Sequence, residues 1–166
     1  PVHAPTSGVV KGFETLTTAV GRRVEHCVIE SDGLDERSDL LQPLPDWKDR
    51  DVKELIDRVG EAGIVGMGGA GFPTVVKVNP PPDKKIHTLI VNGAECEPYL
   101  TADHSMMRER TDDIWVGIQI LRKILGGPRV WICIEENKPD AIEKFGAIEG
   151  DEDVGVAVLK TYYPHG

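Results

Sequence analysis

Four glycines crowd into the six residues Gly66–Gly71, and the turn that contains them ends in Phe72 and Pro73. Glycine has no Cβ, so it adopts positive φ at little cost and lets a ligand approach the backbone closely. Free N–H groups ahead of a helix start form a cradle for an anion or for the edge of a ring. Glycine spacing of this kind is equally typical of an exposed flexible loop, so it indicates a site only together with other features.

A second polar group follows the short apolar run Thr88–Val91. It consists of one amide, Asn92, and two carboxylates, Glu95 and Glu97. The glycine turn comes before this strand, whereas a standard dinucleotide site has strand, glycine loop and helix in that order. Two structural alternatives stay open: Asn92 also suits a plain turn, and the two glutamates also suit an exposed acidic loop.

Composition excludes several classes of protein. The 166 residues carry a formal charge of −9, which argues against binding a nucleic-acid backbone. No apolar stretch approaches the ~18 residues of a membrane-spanning helix. Three widely spaced cysteines, Cys27, Cys96 and Cys133, form no CxxC pair, so neither a metal site nor a disulfide framework is predicted. Because the chain starts at Pro1 and stops at Gly166, we interpret it as a fragment of a longer protein.

Two domains are predicted, 1–45 and 46–166. The first has alternating β-branched runs, Gly8–Phe13 and Arg23–Glu30, and it ends in a Pro-rich linker over 40–46. The second alternates helical and apolar runs. Helices are predicted over 51–62, 74–78, 100–110, 112–125 and 139–148, and strands over 88–91, 129–134 and 154–160. The strand over 129–134 is apolar enough to be buried on both faces.

Strands separated by helical crossovers predict an α/β fold with a parallel sheet. Ligands of such sheets lie beyond the carboxyl ends of the strands. Residues 92–97, 135–137 and 162–166 would project there. Phe72 is interpreted as core packing, and Asp103 and His104 as surface residues at a helix start.

Several motifs together resemble one family, the C subunit of the Rnf electron transport complex. They are Gly66–Thr74 with Lys77, Asn92–Asp103, Glu136–Pro139, Tyr163-Pro164-x-Gly166 and the amino-terminal Pro1–Gly8. The family is similar to the flavin-binding subunit of respiratory complex I. The resemblance implies a Rossmann-like FMN-binding domain with a non-standard glycine loop, truncated at its C-terminus. The opening residues resemble a barrel-sandwich hybrid; with no methionine near Lys11, a structural role is favoured over a lipoyl- or biotinyl-type carrier.

The resemblance also implies the site residues. Gly66, Gly68, Gly69, Ala70 and Gly71 would lie against FMN and the nicotinamide nucleotide. The Lys77 side chain would reach the polar chain of FMN or a nucleotide phosphate.

On the acidic side of the implied site, Asn92 would hydrogen-bond FMN. The carboxylates of Glu95 and Glu97 would face the flavin edge and the nicotinamide nucleotide. Tyr163 and Gly166 fall where the complex I relative has a further FMN contact.

The implied activity is that of a component of an NADH:ferredoxin oxidoreductase, which oxidises NADH through FMN or works in reverse. It passes electrons to 4Fe–4S clusters that only the full-length protein carries, so the fragment alone is expected to be inactive. The implied partners are NADH and the other Rnf subunits, at the cytoplasmic face of the bacterial inner membrane. Two alternatives remain: a cobalamin reductase of the same family, and a non-catalytic docking fragment.

Overall fold

An antiparallel hairpin forms the first of two units in this computed structural model, which describes residues 2–40, 42–66, 71–148, 151–164 and 166. The units are Pro1–Leu44 and Pro45–Gly166. Strand β1 (Gly8–Thr17) pairs with β2 (Arg23–Ser31), and the register shifts once, between Val10 and Gly12. A hairpin of two strands is a common part of larger β folds, so the barrel-sandwich hybrid stays a prediction for this unit.

The second unit is built on a three-stranded parallel sheet. The strands are β3 (Thr88–Gly93), β4 (Arg129–Glu135) and β5 (Val154–Leu159), in the order β3-β4-β5. The helices are α1 (Val52–Glu61), α2 (Thr74–Lys77), α3 (Ala102–Glu109), α4 (Thr111–Ile124) and α5 (Pro139–Gly146). The α/β class and the parallel sheet are therefore confirmed.

Local signals explain where the helices begin and end. The Asp51 side chain accepts the N–H of Glu54 and caps α1, and Gly63, at φ 62°, follows its end. Helix α4 is followed by Gly126 and Gly127, both at φ near 80°, and the Gly127 N–H donates to the Arg122 carbonyl at 2.9 Å. These stops position the glycine turn after α1 and strand β4 after α4.

One face of the sheet carries the core. Val130, Ile132 and Ile134 of β4 are buried there, and side chains of α3, α4 and α5 pack against them. On the opposite face Trp131 is 39% exposed and Cys133 is half-buried. The prediction that this strand is buried on both faces was therefore wrong, because the helices of the described core all pack on one face.

None of the helices in the described ranges is long and apolar enough to cross a membrane.

Candidate functional site

The glycine turn is closed at its base by backbone hydrogen bonds. The Gly66 N–H donates to the Phe72 carbonyl at 2.9 Å, and the Thr74 N–H donates to the Ile64 carbonyl at 2.9 Å. Gly71 lies at φ 60°, and no described atom lies within 4 Å of the position that a Cβ would take. A bridge of this kind fixes both ends of the turn. The predicted contacts Gly68, Gly69 and Ala70 lie outside the described residues.

The Lys77 side chain lies beside the base of this turn, at Gly66 and Phe72. Its Nζ lies 3.4 Å from the position that a Cβ on Gly66 would take, and 5.8 Å from the centroid of the Phe72 ring. Phe72 is 46% exposed, so its interpretation as core packing was wrong; the ring instead lies beneath an ammonium, as in a cation–π contact. Among the described residues Lys77 forms no ion pair. Its charge is therefore available to an anion bound at the turn.

The second predicted group follows β3 at the carboxyl end of the sheet. Asn92 Oδ1 accepts the N–H of Ala94 at 3.1 Å, which forms an Asx turn. A Cβ on the last strand residue, Gly93, would come within 3.0 Å of both the Cys133 carbonyl oxygen and the Met107 Sδ. Glycine is therefore required where the chain leaves the strand and enters the acidic loop, which we define as 92–97.

The two glutamates of the acidic loop differ in what they contact. Glu95 Oε1 accepts the N–H of Asp103 at 2.8 Å, and Oε2 accepts the N–H of His104 at 3.3 Å. This carboxylate therefore caps the start of α3, where the helix dipole favours a negative charge. Glu97 is exposed at the loop surface. Of the two, Glu97 is the one with a carboxylate open to a ligand.

The last described residue also reaches the acidic loop. The Gly166 N–H donates to Cys96 Sγ at 3.2 Å, and a Cβ on Gly166 would lie 2.8 Å from the Ala94 carbonyl oxygen. Tyr163 is exposed. The predicted site residues thus form two groups: Gly66, Gly71 and Lys77 at the turn, and Asn92, Glu95 and Gly166 at the loop. No described hydrogen bond or ion pair joins the two groups.

A buried ion pair lies behind the acidic loop. Glu135, the last residue of β4, is fully buried, and its Oε2 lies 2.5 Å from the Nζ of the almost fully buried Lys138. The same oxygen accepts the N–H of Glu95 at 3.3 Å. Glu135 Oε1 has no hydrogen-bond partner among the described atoms, although an unsatisfied buried oxygen costs about 1–3 kcal/mol.

Charge at the start of α3 is tuned by these neighbours. Loss of solvent and the nearby Glu95 carboxylate raise the pKa of Asp103, and the Lys138 ammonium partly opposes this. The interpretation of His104 as a surface residue was incomplete, because its half-buried ring has its Nε2 2.7 Å from Asp140 Oδ1. That hydrogen bond is the main cause that lowers the pKa of Asp140. The Ala141 N–H and the charges of His104 and Arg108 lower it further.

Sequence reasoning placed 135–137 at the ligand-binding edge but missed the pairing of Glu135 with Lys138. A signal existed: two charged residues spaced i, i+3 directly after an apolar strand, with Pro139 opening a helix. The Lys138 N–H donates to the Glu135 carbonyl at 3.0 Å, so both residues lie in one turn between strand and helix.

The class of protein follows from comparison with known families. Residues 59–166 match the model of the Nuo51 FMN-binding domain, Complex1_51K. The chain belongs to this family.

Whole-chain relatives give the more particular match. The chain is 46% identical over 99% of its length to the C subunit of the proton-translocating ferredoxin:NAD(+) oxidoreductase complex of Clostridium ljungdahlii. It is 46% identical, over its full length, to the Na(+)-translocating counterpart of Acetobacterium woodii. It is 47% identical over 99% of its length to the C subunit of the ion-translocating oxidoreductase complex of Pseudomonas aeruginosa. The resemblance to the C subunit of the Rnf complex is therefore confirmed.

The chain spans 36%, 38% and 21% of the length of these three relatives, respectively.

Proposed function

We propose that this chain is the FMN-binding part of the C subunit of an ion-translocating ferredoxin:NAD oxidoreductase complex. The observation that carries the proposal is the Lys77 ammonium at the base of the glycine turn, beside Gly66 and Phe72. A glycine-rich turn beside a cation that has no ion-pair partner among the described residues suits the phosphate of a flavin nucleotide. The family of FMN-binding domains and the names of the relatives support the same assignment.

Each proposed site residue has a task that its surroundings permit. The backbone of 66–71 would approach FMN closely, with Lys77 on its phosphate. Asn92 would orient the flavin through its exposed amide, since its Oδ1 already accepts from Ala94. Glu97 would accept hydrogen bonds from nucleotide hydroxyls. Tyr163 and Gly166 would close the loop side, where Gly166 already contacts Cys96.

Glu95 would act on the site through the main chain. Its carboxylate oxygens are occupied by two N–H groups of α3. It would therefore set the course of the acidic loop, and Glu97 would be the carboxylate that meets the nucleotide.

When bound, FMN supplies a hydride acceptor for NADH and a donor of single electrons. The chain's own residues need to bind and orient the two nucleotides, so no acid–base pair is required at the site. Ferredoxin, 4Fe–4S clusters and the other subunits of the complex would lie outside this chain. We assign the complex to the cytoplasmic face of the inner membrane, with this protein peripheral, and leave the direction of electron flow open.

FMN titration followed by quenching of flavin fluorescence tests the proposal. The wild-type chain should bind FMN with a single stoichiometric site. Lys77→Ala should weaken binding by about tenfold or more, because a charge-assisted contact to phosphate is lost. Lys53→Ala is the matched control, since Lys53 is an exposed lysine of α1 paired with Asp57.

An unchanged affinity in Lys77→Ala would remove the phosphate assignment. A wild-type chain that is folded by circular dichroism and binds no FMN would favour a docking role for this chain.

A further inference from the structure

Neither residue of the buried pair Glu135–Lys138 is a proposed FMN contact. The pair does contact the acidic loop, which carries several of those contacts. We propose that Glu135 is a positioning residue of the flavin site: its buried carboxylate, held by Lys138, fixes the acidic loop by accepting the Glu95 N–H. The inference rests on the proposed function, because it assigns the task of the loop to FMN binding.

Glu95 is fixed at both of its ends. Its N–H donates to the Glu135 carboxylate, and its own carboxylate accepts two N–H groups at the start of α3. A residue that is held by its main chain and its side chain has little freedom to rotate. The exposed neighbours on either side, Asn92 and Glu97, are thereby presented in one arrangement.

A contribution to the stability of the fold does not explain why this ion pair is present. Glu135 is 0% exposed, and one of its oxygens has no partner in the described part of the chain. Buried pairs of this kind are commonly replaceable by apolar side chains without loss of stability. The Glu95 N–H, in contrast, needs an acceptor that an apolar side chain cannot provide. Holding that N–H is the feature that only an oxygen at position 135 supplies.

Two double variants separate positioning from packing. Glu135→Met with Lys138→Met removes both charges and the acceptor for the Glu95 N–H. Glu135→Gln with Lys138→Gln removes both charges and keeps a carbonyl oxygen at the same place. FMN affinity should fall by about tenfold or more in the methionine variant. In the glutamine variant it should stay within about threefold of wild type.

The flavin-free protein gives an independent readout. Amide hydrogen exchange of Glu95 should be slow in wild type and in the glutamine variant, and fast in the methionine variant. This measurement needs no FMN, so it tests the inference even if the wild-type chain binds no flavin. Absence of flavin binding would contradict only the proposed function.

Equal FMN affinity in the methionine variant and wild type, or an equal loss in both double variants, would overturn the proposal. If the methionine variant does not fold, Glu135→Asp replaces it. That change keeps the charge beside Lys138 and withdraws the acceptor by one methylene. The same loss of FMN affinity is expected, and an unchanged affinity would overturn the proposal equally.

Discussion

The two ends of the parallel sheet use charge in different ways. At the amino end, Arg122 pairs with Asp151 and Asp153 and donates from Nε to the Pro128 carbonyl at 3.0 Å. The Arg122 side chain keeps 16% of its exposure and that of Asp151 keeps 26%. At the carboxyl end, Glu135 and Lys138 are almost completely withdrawn from water, and one carboxylate oxygen has no described partner.

The difference shows which end has a task besides folding. The Arg122 cluster ties the end of α4 to the turns before β4 and β5, and water still screens its charges. The Glu135 pair ties β4 to a loop of the proposed site, and its burial carries a desolvation cost that packing alone would not require. We therefore expect the amino end to be sensitive in stability and the carboxyl end to be sensitive in stability and in FMN binding.

Removal of one partner from each cluster should give the largest effects. Lys138→Met leaves the Glu135 charge buried and unpaired, at a cost of about 3–5 kcal/mol in the free energy of unfolding. Arg122→Met leaves aspartates that water can reach, at a cost of about 1–3 kcal/mol. Urea unfolding followed by circular dichroism measures both. Lys53→Met, in an exposed pair, is the control and should cost about 0–1 kcal/mol.

A cost for Arg122→Met as large as that for Lys138→Met would break the comparison, because partial exposure would then make no difference.

Glycine substitutions at the two ends should differ next. In Gly93→Ala, at the carboxyl end of β3, the new Cβ meets the Cys133 carbonyl, which the strand ladder holds in place. The expected cost is about 1–3 kcal/mol in the free energy of unfolding, with weaker FMN binding. In Gly155→Ala, near the start of β5, it meets the Trp131 ring, which can turn towards solvent. That variant should lose less than about 1 kcal/mol and bind FMN normally.

Asp103 provides a smaller effect with a defined pH dependence. Its pKa is raised in the native state, so the native state binds more protons than the unfolded state does. The free energy of unfolding therefore falls as the pH rises from the ordinary aspartate pKa through the native one. Asp103→Asn should be more stable than wild type at neutral pH, and the difference should vanish in acid. Thermal unfolding across this range measures it, and an advantage that persists in acid would contradict the assignment.

The Asp140 carboxylate should change stability with pH in the opposite direction to Asp103, and its effect should be the smallest. Its pKa is lowered, first by the hydrogen bond to His104, so its contribution to stability is present above the ordinary aspartate pKa. That contribution is lost as the pH falls through the native pKa. Asp140→Asn should be less stable than wild type at neutral pH and equal to it in strong acid. The same thermal scans would contradict this if the two variants shifted in the same direction.

Periodic and punctuated segments were predictable from the sequence. The apolar spacing of 51–62 and the stops at Gly63 and Gly126 gave α1 and α4 within one residue at each end. The alternation of helices and apolar runs gave the parallel sheet. Such signals are local, and they do not depend on which face of an element meets another.

The missing parts depend on contacts between distant residues. The exposure of Trp131 follows from helices packing on one face, which periodicity does not report. The capping of α3 by Glu95 and the burial of Glu135 require two loops to meet after folding. The position of Lys77 near the glycine turn was predictable, because Lys77 is the last residue of the one-turn helix α2 that follows the turn.

Amide chemical-shift mapping during FMN titration of the chain tests the central assignment most directly. We predict that the shifts concentrate at 71–77, beside the glycine turn, and at 92–97, at the carboxyl end of β3, and leave Arg122, Arg129 and Asp153 unchanged. Shifts centred on the Arg122 cluster, or none in a folded chain at saturating FMN, would contradict a flavin site at the carboxyl end.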